Sequence, residues 1–291
     1  MKFETSSING MYKFIGETLL EQPEYVSHPR ELRIHELINT TLILRNPRNR
    51  IITLPGRRFS KKYFVGELAF YLSGDNDLDF ISHYAPFWRK VSDDGQTVNS
   101  NYGKRLFKDY NSSGYTQVEY AVNCLKKDKD SRKAVMMIYT PSDSKESKDN
   151  PCTLTLQAFI RNDELMLTTY MRSNDFWLGV PYDIAFFTIL QEMMFVQLRR
   201  RYTDLRLGKY THIVGSLHLY ERNFRDVKLM LHDSIIQEES SILPEWTMYT
   251  YGQLEDFLDY EYEHREGRFP DRLWATDPFI HKLVEWLEVE A

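Results

Sequence analysis

The chain has 291 residues, 42% hydrophobic and 27% charged, which is enough apolar material for one large domain or two small ones with a substantial core. A formal net charge of −5 gives no electrostatic case for a surface that wraps a polynucleotide. Two cysteines, Cys124 and Cys152, are too few for a disulfide framework, and no cationic-then-apolar leader opens the sequence, so a reducing, cytoplasmic setting is expected.

In chain order, residues 9–21 have helical spacing, and 41–44 and 51–54 flank RNPRNR as two short strands around a turn. Residues 61–72 predict a helix that stops at Gly74. Within 115–127, Val118, Val122 and Leu125 form a helical stripe. Three β-rich stretches follow, 134–140, 154–160 and 164–171, the last two joined by RND as a hairpin. Between them TPSDSKESKDNP (140–151) has the composition of a surface loop and delivers the chain to Cys152.

A loop presenting Arg172, Ser173, Asn174 and Asp175 then leads to Asp183, at the threshold of a helix hydrophobic on nearly every face. Its apolar stretch, 184–198, is interrupted by Gln191, Glu192 and Gln197 and falls short of the about 20 residues a bilayer span needs, so it is expected to be a buried helix. A strand at 210–219 and a helix at 221–232 come next. Beyond about residue 240 the chain turns acidic and aromatic, which divides it into a main domain, 1–240, and an appendage packed on it, 241–291, whose charge forms a solvated face.

The chemistry begins with what is missing. There is no Gly-rich phosphate loop, no Gly-x-Ser-x-Gly elbow, no His-Glu-x-x-His and no paired Cys-x-x-Cys. The eight histidines are scattered, and His212 and His218 are too far apart for a helical ligand pair, so no metal site is expected. What is present is a cysteine following a proline in DNPCTLTLQAF, then MRSND, GVPYD and VGSLHLY. A lone cysteine at a strand start is ordinarily a small buried hydrophobe. Its company alters that reading.

The stretches DSRK (130–133), NPCTLTLQ (150–157), YMRSNDFWLGVPYDIA (170–185) and GSLHLYERN (215–223) resemble, in order and separation, the successive signatures of the thymidylate synthase superfamily. Upstream, GELAFYLSGD (66–75) and NSNYG (99–103) resemble its folate-side glutamate helix and its tyrosine loop. The resemblance implies an α+β fold, a mixed β-sheet flanked by helices that dimerises through the sheet face. It makes Cys152 the nucleophile toward carbon 6 of a pyrimidine nucleotide, with Arg172 and Ser173 on the 5′-phosphate and the Arg172 charge favouring the thiolate. It puts Arg132 and Lys133 on that phosphate from the partner subunit and Arg30 as the remaining phosphate arginine. His218 and Tyr220 are implied at the sugar 3′-hydroxyl and Gln157 at the nucleotide. Glu67 is implied in proton movements through water, Tyr102 in loss of the carbon 5 proton, and Trp88 and Asp175 on the side of 5,10-methylenetetrahydrofolate.

Four departures from the family pattern bear on the substrate. Where synthases acting on dUMP carry an asparagine suited to uracil, this chain has Asp183. One carboxyl oxygen can accept from the exocyclic amine of cytosine, and the other, when protonated, can donate to its ring nitrogen 3. Cys152 is followed by Thr153 in place of the usual histidine, similar to the deoxycytidylate hydroxymethylase branch. Lys133 replaces an arginine, and a lysine cannot reproduce a bidentate clamp, which leaves dCMP and CMP both open. The ending EWLEVEA does not resemble the apolar closure that shields the synthase intermediate, so water is the expected quencher and a hydroxymethyl group the expected product. The alternatives are a cytidylate C5-methyltransferase, a thymidylate synthase, and a catalytically idle nucleotide-binding homologue.

Overall fold

A computed structural model of the chain describes residues 1–233, 243–247, 250–268 and 273–288. In chain order its elements are β1 (Lys2–Thr5), α1 (Ile8–Glu21), β2 (Tyr25–Ser27), β3 (Ile34–Leu44), α2 (Lys61–Ser73), α3 (Leu78–Tyr84), α4 (Trp88–Val91), α5 (Tyr102–Phe107), α6 (Gln117–Lys127), β4 (Val135–Met137), β5 (Thr153–Arg161), β6 (Glu164–Asp175), α7 (Val180–Leu198), β7 (Arg206–Tyr220), α8 (Phe224–Asp233), α9 (Tyr251–Arg265) and α10 (Pro278–Glu288). They fall into two compact units. The first comprises Met1–Phe59, Cys152–Phe195 and Asp204–Leu243, the second Ser60–Pro151, Val196–Thr203 and Pro244–Ala291.

In the first unit the strands run in the order β1-β3-β7-β6-β5, with β2 also on β3. β1 is parallel to β3 and β6 to β7, while β3 with β7 and β5 with β6 are antiparallel, so the sheet is mixed. The β5–β6 hairpin closes on Asn162 and Asp163, both left-handed (φ 51° and 58°), the conformation that a two-residue turn matching strand twist requires. Asn and Asp tolerate it better than bulkier residues, which is why RND is legible as a hairpin. The body of α7 is buried all round, as its composition requires.

Two readings need correction. Residues 51–54 are not a strand: β3 alone runs through Leu44, and the chain after the turn is irregular although Ile51, Ile52 and Leu54 are buried. Apolar side chains can line a core without ladder bonds, and a short apolar run does not distinguish the two cases. Residues 172–175 are not a loop, because β6 continues through Asp175. Residues 140–151 are the expected surface loop, held by two carboxylates: buried Asp143 accepts from Arg105 Nη1 and Nη2 at 2.6 and 2.7 Å, and Asp149 accepts from the Ser100 amide at 2.8 Å.

The second unit is built around α2, whose Ser60 N-cap accepts from the Tyr63 amide and whose C-cap Gly74 is left-handed (φ 64°), ending the helix where expected. Helices α3, α5, α9 and α10 pack on it. The acidic stretch before α10 is not entirely a solvated face, since Glu261 is buried and accepts from Tyr84 Oη (2.6 Å) and Arg265 Nε (2.9 Å). The last three residues of EWLEVEA lie outside the described residues. No described helix is long and apolar enough to cross a membrane.

Glu192, on the otherwise apolar α7, is fully buried and pairs with the equally buried Arg50 and with Arg48 Nε at 2.7 Å. Burial alone would raise its pKa, but the two guanidinium charges outweigh that and hold the carboxyl below its ordinary range. Glu192→Ala takes this partner from the fully buried Arg50 as well as from the partly exposed Arg48, and urea unfolding is expected to show a loss of about 3–5 kcal/mol. A loss under about 1 kcal/mol, the size of an exposed pair, would refute that account.

Candidate active site

Parallel pairing of β6 with β7 sets Ser173, Asn174 and Asp175 beside Ser216, Leu217 and His218. The strands approach so closely that a Cβ on Gly215 would lie 2.8 Å from the Arg172 carbonyl oxygen, so this position tolerates only glycine without displacement. The Arg172 amide donates to the Cys152 carbonyl at 2.8 Å, which brings the proposed nucleophile and phosphate arginine to adjoining backbone positions at one end of the sheet. Cys152 is half-buried, Arg172 exposed and Ser173 half-buried.

Beyond β6, Asp175 Oδ1 accepts the Trp177 and Leu178 amides at 2.8 and 3.1 Å, turning the chain toward α7. Arg57 secures that turn: Nη2 donates to the Trp177 carbonyl at 2.8 Å, and the guanidinium lies 4.9 Å from the Trp177 ring. Asp183 stands in the first helical turn, its amide donating to Gly179 O at 2.9 Å. Its half-buried carboxyl accepts from Asn174 Nδ2 at 2.7 Å. Burial pushes this carboxyl up to about 7, against the opposing effect of the Asn174 hydrogen bond.

Along β7, buried His218 places Nδ1 3.3 Å from the Ser216 carbonyl and meets Tyr220 edge to face at 5.1 Å. Burial lowers its pKa against the charges of Asp175 and, more weakly, Glu36. Tyr220 Oη accepts from Arg30 Nη2 at 3.2 Å. Arg30 and Glu31 are both left-handed (φ 52° and 63°), an uncommon conformation for two successive non-glycine residues, and the motif reading had no local signal for Arg30. Gln157 is half-buried on β5 opposite Thr168.

The remaining candidates belong to the second unit. Glu67 on α2 is buried and accepts from Tyr63 Oη at 2.7 Å, and Tyr63 Oη accepts from Trp88 Nε1 at 3.3 Å. Tyr102, the first residue of α5, is buried and stacked on Tyr71 at 5.4 Å. Arg132 and Lys133 are exposed just before β4. Among the described residues no cluster of His, Cys, Asp and Glu could hold a metal ion.

Three contributors had no role assigned from the sequence. Tyr63 links Glu67 to Trp88, and its position four residues before Glu67 on a helix was an available signal. Glu36 accepts from Ser27 (3.2 Å) and Ser216 next to His218, and Asn174 holds Asp183. Neither of those two has a local signal, because both contacts join separate elements.

The family profile described as thymidylate synthase matches residues 35–267. The deoxyuridylate hydroxymethyltransferase of Bacillus phage SP01 is 28% identical over 282 residues, spanning 88% of this chain and 72% of that protein. Thermostable thymidylate synthase A from Bacillus subtilis superposes with a TM-score of 0.64 at 21% identity, covering 80% of this chain and 86% of the other, a likeness of fold that agrees with the expected mixed sheet flanked by helices.

Folded, Asp183 keeps its proton to about pH 7; unfolded, it loses it near its ordinary value of 3.8. Stability therefore falls as pH rises between those values and levels off above them. Asp183→Asn removes that slope, and urea unfolding at pH 5 and pH 8 is expected to show the wild type losing roughly 2–3 kcal/mol more than the variant over this interval. Equal slopes would mean that Asp183 titrates near its ordinary value.

Proposed function

The chain belongs to the thymidylate synthase family and is a pyrimidine-nucleotide C5 one-carbon transferase, and on that premise we propose that it hydroxymethylates carbon 5 of a cytidine 5′-monophosphate, dCMP before CMP. The observation that carries this reading is the Asp183 carboxyl, which through burial holds its proton up to about pH 7, at the position where the resemblance expects an asparagine. In that form one oxygen accepts from the cytosine amine and the other donates to ring nitrogen 3. Attack of Cys152 at carbon 6 drives electron density onto that nitrogen, so the hydrogen bond strengthens in the transition state.

Around this pair the other residues take the roles that the resemblance implies. Arg172, Ser173 and Arg30 bind the 5′-phosphate, joined in a homodimer by Arg132 and Lys133 of the second subunit. His218 and Tyr220 hold the sugar, a role supported by the bond from Arg30 to Tyr220 Oη. Gln157 contacts the nucleotide from β5.

The family's co-substrate, 5,10-methylenetetrahydrofolate, supplies an electrophilic one-carbon unit. The buried Glu67 carboxylate, Tyr63 hydroxyl and half-buried Trp88 indole form a connected polar and aromatic wall, a donor and acceptor set that fits a flat, polar pterin. The resemblance assigns Asp175 to the folate and Tyr102 to loss of the carbon 5 proton. Water adds to the methylene that departing tetrahydrofolate leaves on the nucleotide, giving the hydroxymethyl group, and the carbon 6–sulfur bond breaks to return the Cys152 thiolate. The product is of the kind that the phage relative's name implies.

That relative also favours a second reading, hydroxymethylation of dUMP, because a neutral carboxyl can accept from N3–H of uracil and donate to its 4-oxo group. The discriminating experiment incubates the protein with methylenetetrahydrofolate and equimolar dCMP, CMP and dUMP, with products identified by mass spectrometry. Hydroxymethylated cytidylate is expected, and none from Cys152→Ala. Hydroxymethylated dUMP alone would establish the second reading, and a methylated product would replace water by hydride. No product from any nucleotide would leave an idle nucleotide-binding homologue. Asp183→Asn restores the uracil order of donor and acceptor and is expected to raise the dUMP to dCMP rate ratio by at least about tenfold, the value of one discriminating hydrogen bond. An unchanged ratio would remove Asp183 from base selection.

A further inference from the structure

Asn174 occupies an unusual place for a polar side chain. It is 2% exposed, and its Nδ2 contacts both Asp183 Oδ2 (2.7 Å) and Met171 Sδ (2.9 Å), so both of its N–H groups are engaged. Its Oδ1 is buried without a hydrogen-bond partner among the described residues. An apolar residue would fill the same space at less desolvation cost. Gly179 permits the arrangement, since a Cβ there would stand 3.2 Å from both Asn174 Oδ1 and Asp183 Oδ2. The contact spans the end of β6 and the first turn of α7, so it fixes the carboxyl relative to the strand that carries Arg172 and Ser173.

We propose that Asn174 is a specificity-determining positioning residue, which fixes the donor and acceptor order that Asp183 presents to the pyrimidine by donating to Oδ2 and so leaving Oδ1 to carry the proton. This inference rests on the reading of Asp183 as the base-contacting group. A neutral carboxyl with a mobile proton pairs with cytosine or uracil alike, because either oxygen can be the donor. An amide N–H aimed at one oxygen biases that choice, since the carbonyl oxygen of a neutral carboxyl accepts more strongly than its hydroxyl oxygen, which places the proton on the other. Oδ2 then accepts from the cytosine amine as well as from Asn174, and Oδ1–H donates to ring nitrogen 3. With uracil the same order sets donor against donor at one contact and acceptor against acceptor at the other.

The surrounding titratable groups do not supply this bias. Tyr210 on β7 has its pKa raised well above the ordinary value by burial, with a smaller contribution from the Asp183 charge, and its hydroxyl lies 2.7 Å from His212 Nδ1. His212 is pushed down to about 3 by burial and stays neutral. Asp175 on β6 turns Oδ1 to the Trp177 and Leu178 amides, and Tyr182 on α7 stacks on Phe59. Of the polar contacts, the Asn174 bond is the one that favours the ionised carboxyl.

The test compares wild type with Asn174→Leu, Asn174→Ala and Asn174→Ser, measuring rates on dCMP and dUMP separately from pH 5.5 to 9, with thermal unfolding as a control for folding. The dCMP to dUMP ratio of kcat/KM is expected to fall about tenfold in the leucine and alanine variants, the size of one lost hydrogen-bond discrimination. The alkaline limb of their cytidylate turnover is expected to move to higher pH, because the bond that favours the carboxylate is gone. Serine, which keeps a hydroxyl donor, is expected to lie between. An unchanged ratio and an unmoved limb in folded variants overturn the role of Asn174 alone, whereas wild-type use of dUMP to the exclusion of cytidylates overturns the reading of Asp183 on which it rests. Failure of all three variants to fold assigns Asn174 to the fold and also overturns the proposal.

Discussion

The parallel seam between β6 and β7 is the constraint on which the first unit depends. Parallel neighbours cannot be joined by a tight turn, so the chain must leave β6, cross over through a helix and return, and α7 is that crossover. The seam is irregular at its start, where the register slips between Leu165 and Leu167. Buried Gln191 spans the irregularity, its Nε2 donating to the Leu165 and Gly208 carbonyls at 2.9 Å each. Without it, carbonyl groups freed by the slip would face an apolar helix, at a cost of about 1–3 kcal/mol each. At the other end of the seam the strands close over Gly215, and there the residues proposed to hold the nucleotide lie side by side.

Three of the polar residues of α7, Asp183, Gln191 and Glu192, explain why an otherwise apolar helix is not simply a core element. Each is matched to a different partner, and the partner sets its state. Glu192 meets two guanidinium groups and stays ionised despite complete burial. Asp183 meets a neutral amide, which offsets only part of the desolvation, so its proton is retained to about pH 7. The same residue class on one helix thus has its pKa lowered at one position and raised at another. Glu192 anchors the helix to the turn after β3, and Asp183 is the carboxyl proposed to meet the base.

A comparable division holds in the second unit. Glu67 and Glu261 are both buried carboxylates satisfied by tyrosine hydroxyls, Tyr63 and Tyr84 respectively. Glu261 also has Arg265 as a counter-charge, which suits it to stabilising α9. Glu67 is joined instead to the Trp88 indole through Tyr63 and lies within the motif that resembles the family's folate side. Similar hydrogen-bonded carboxylates are distinguished here by what lies one bond further out.

Much of the fold was legible because its signals are local. The RND turn requires left-handed residues, Gly74 ends α2, and the α7 pattern has no polar face to give to solvent. Residues 51–54 were misassigned because burial without strand pairing produces the same apolar run as a strand, and 172–175 because polar residues on a strand end resemble a loop. The motifs likewise singled out Cys152, Arg172 and Asp183 as candidates, since the spacing of chemically distinctive residues along a chain needs no coordinates. Sequence by itself therefore determined the family, the mixed α+β architecture and the presence of a carboxyl where an asparagine was expected. Only the tertiary structure decided the state of that carboxyl, because its proton depends on burial and on Asn174, reached across a turn and a helix end, and neither desolvation nor a contact between separate elements is written in the order of the residues.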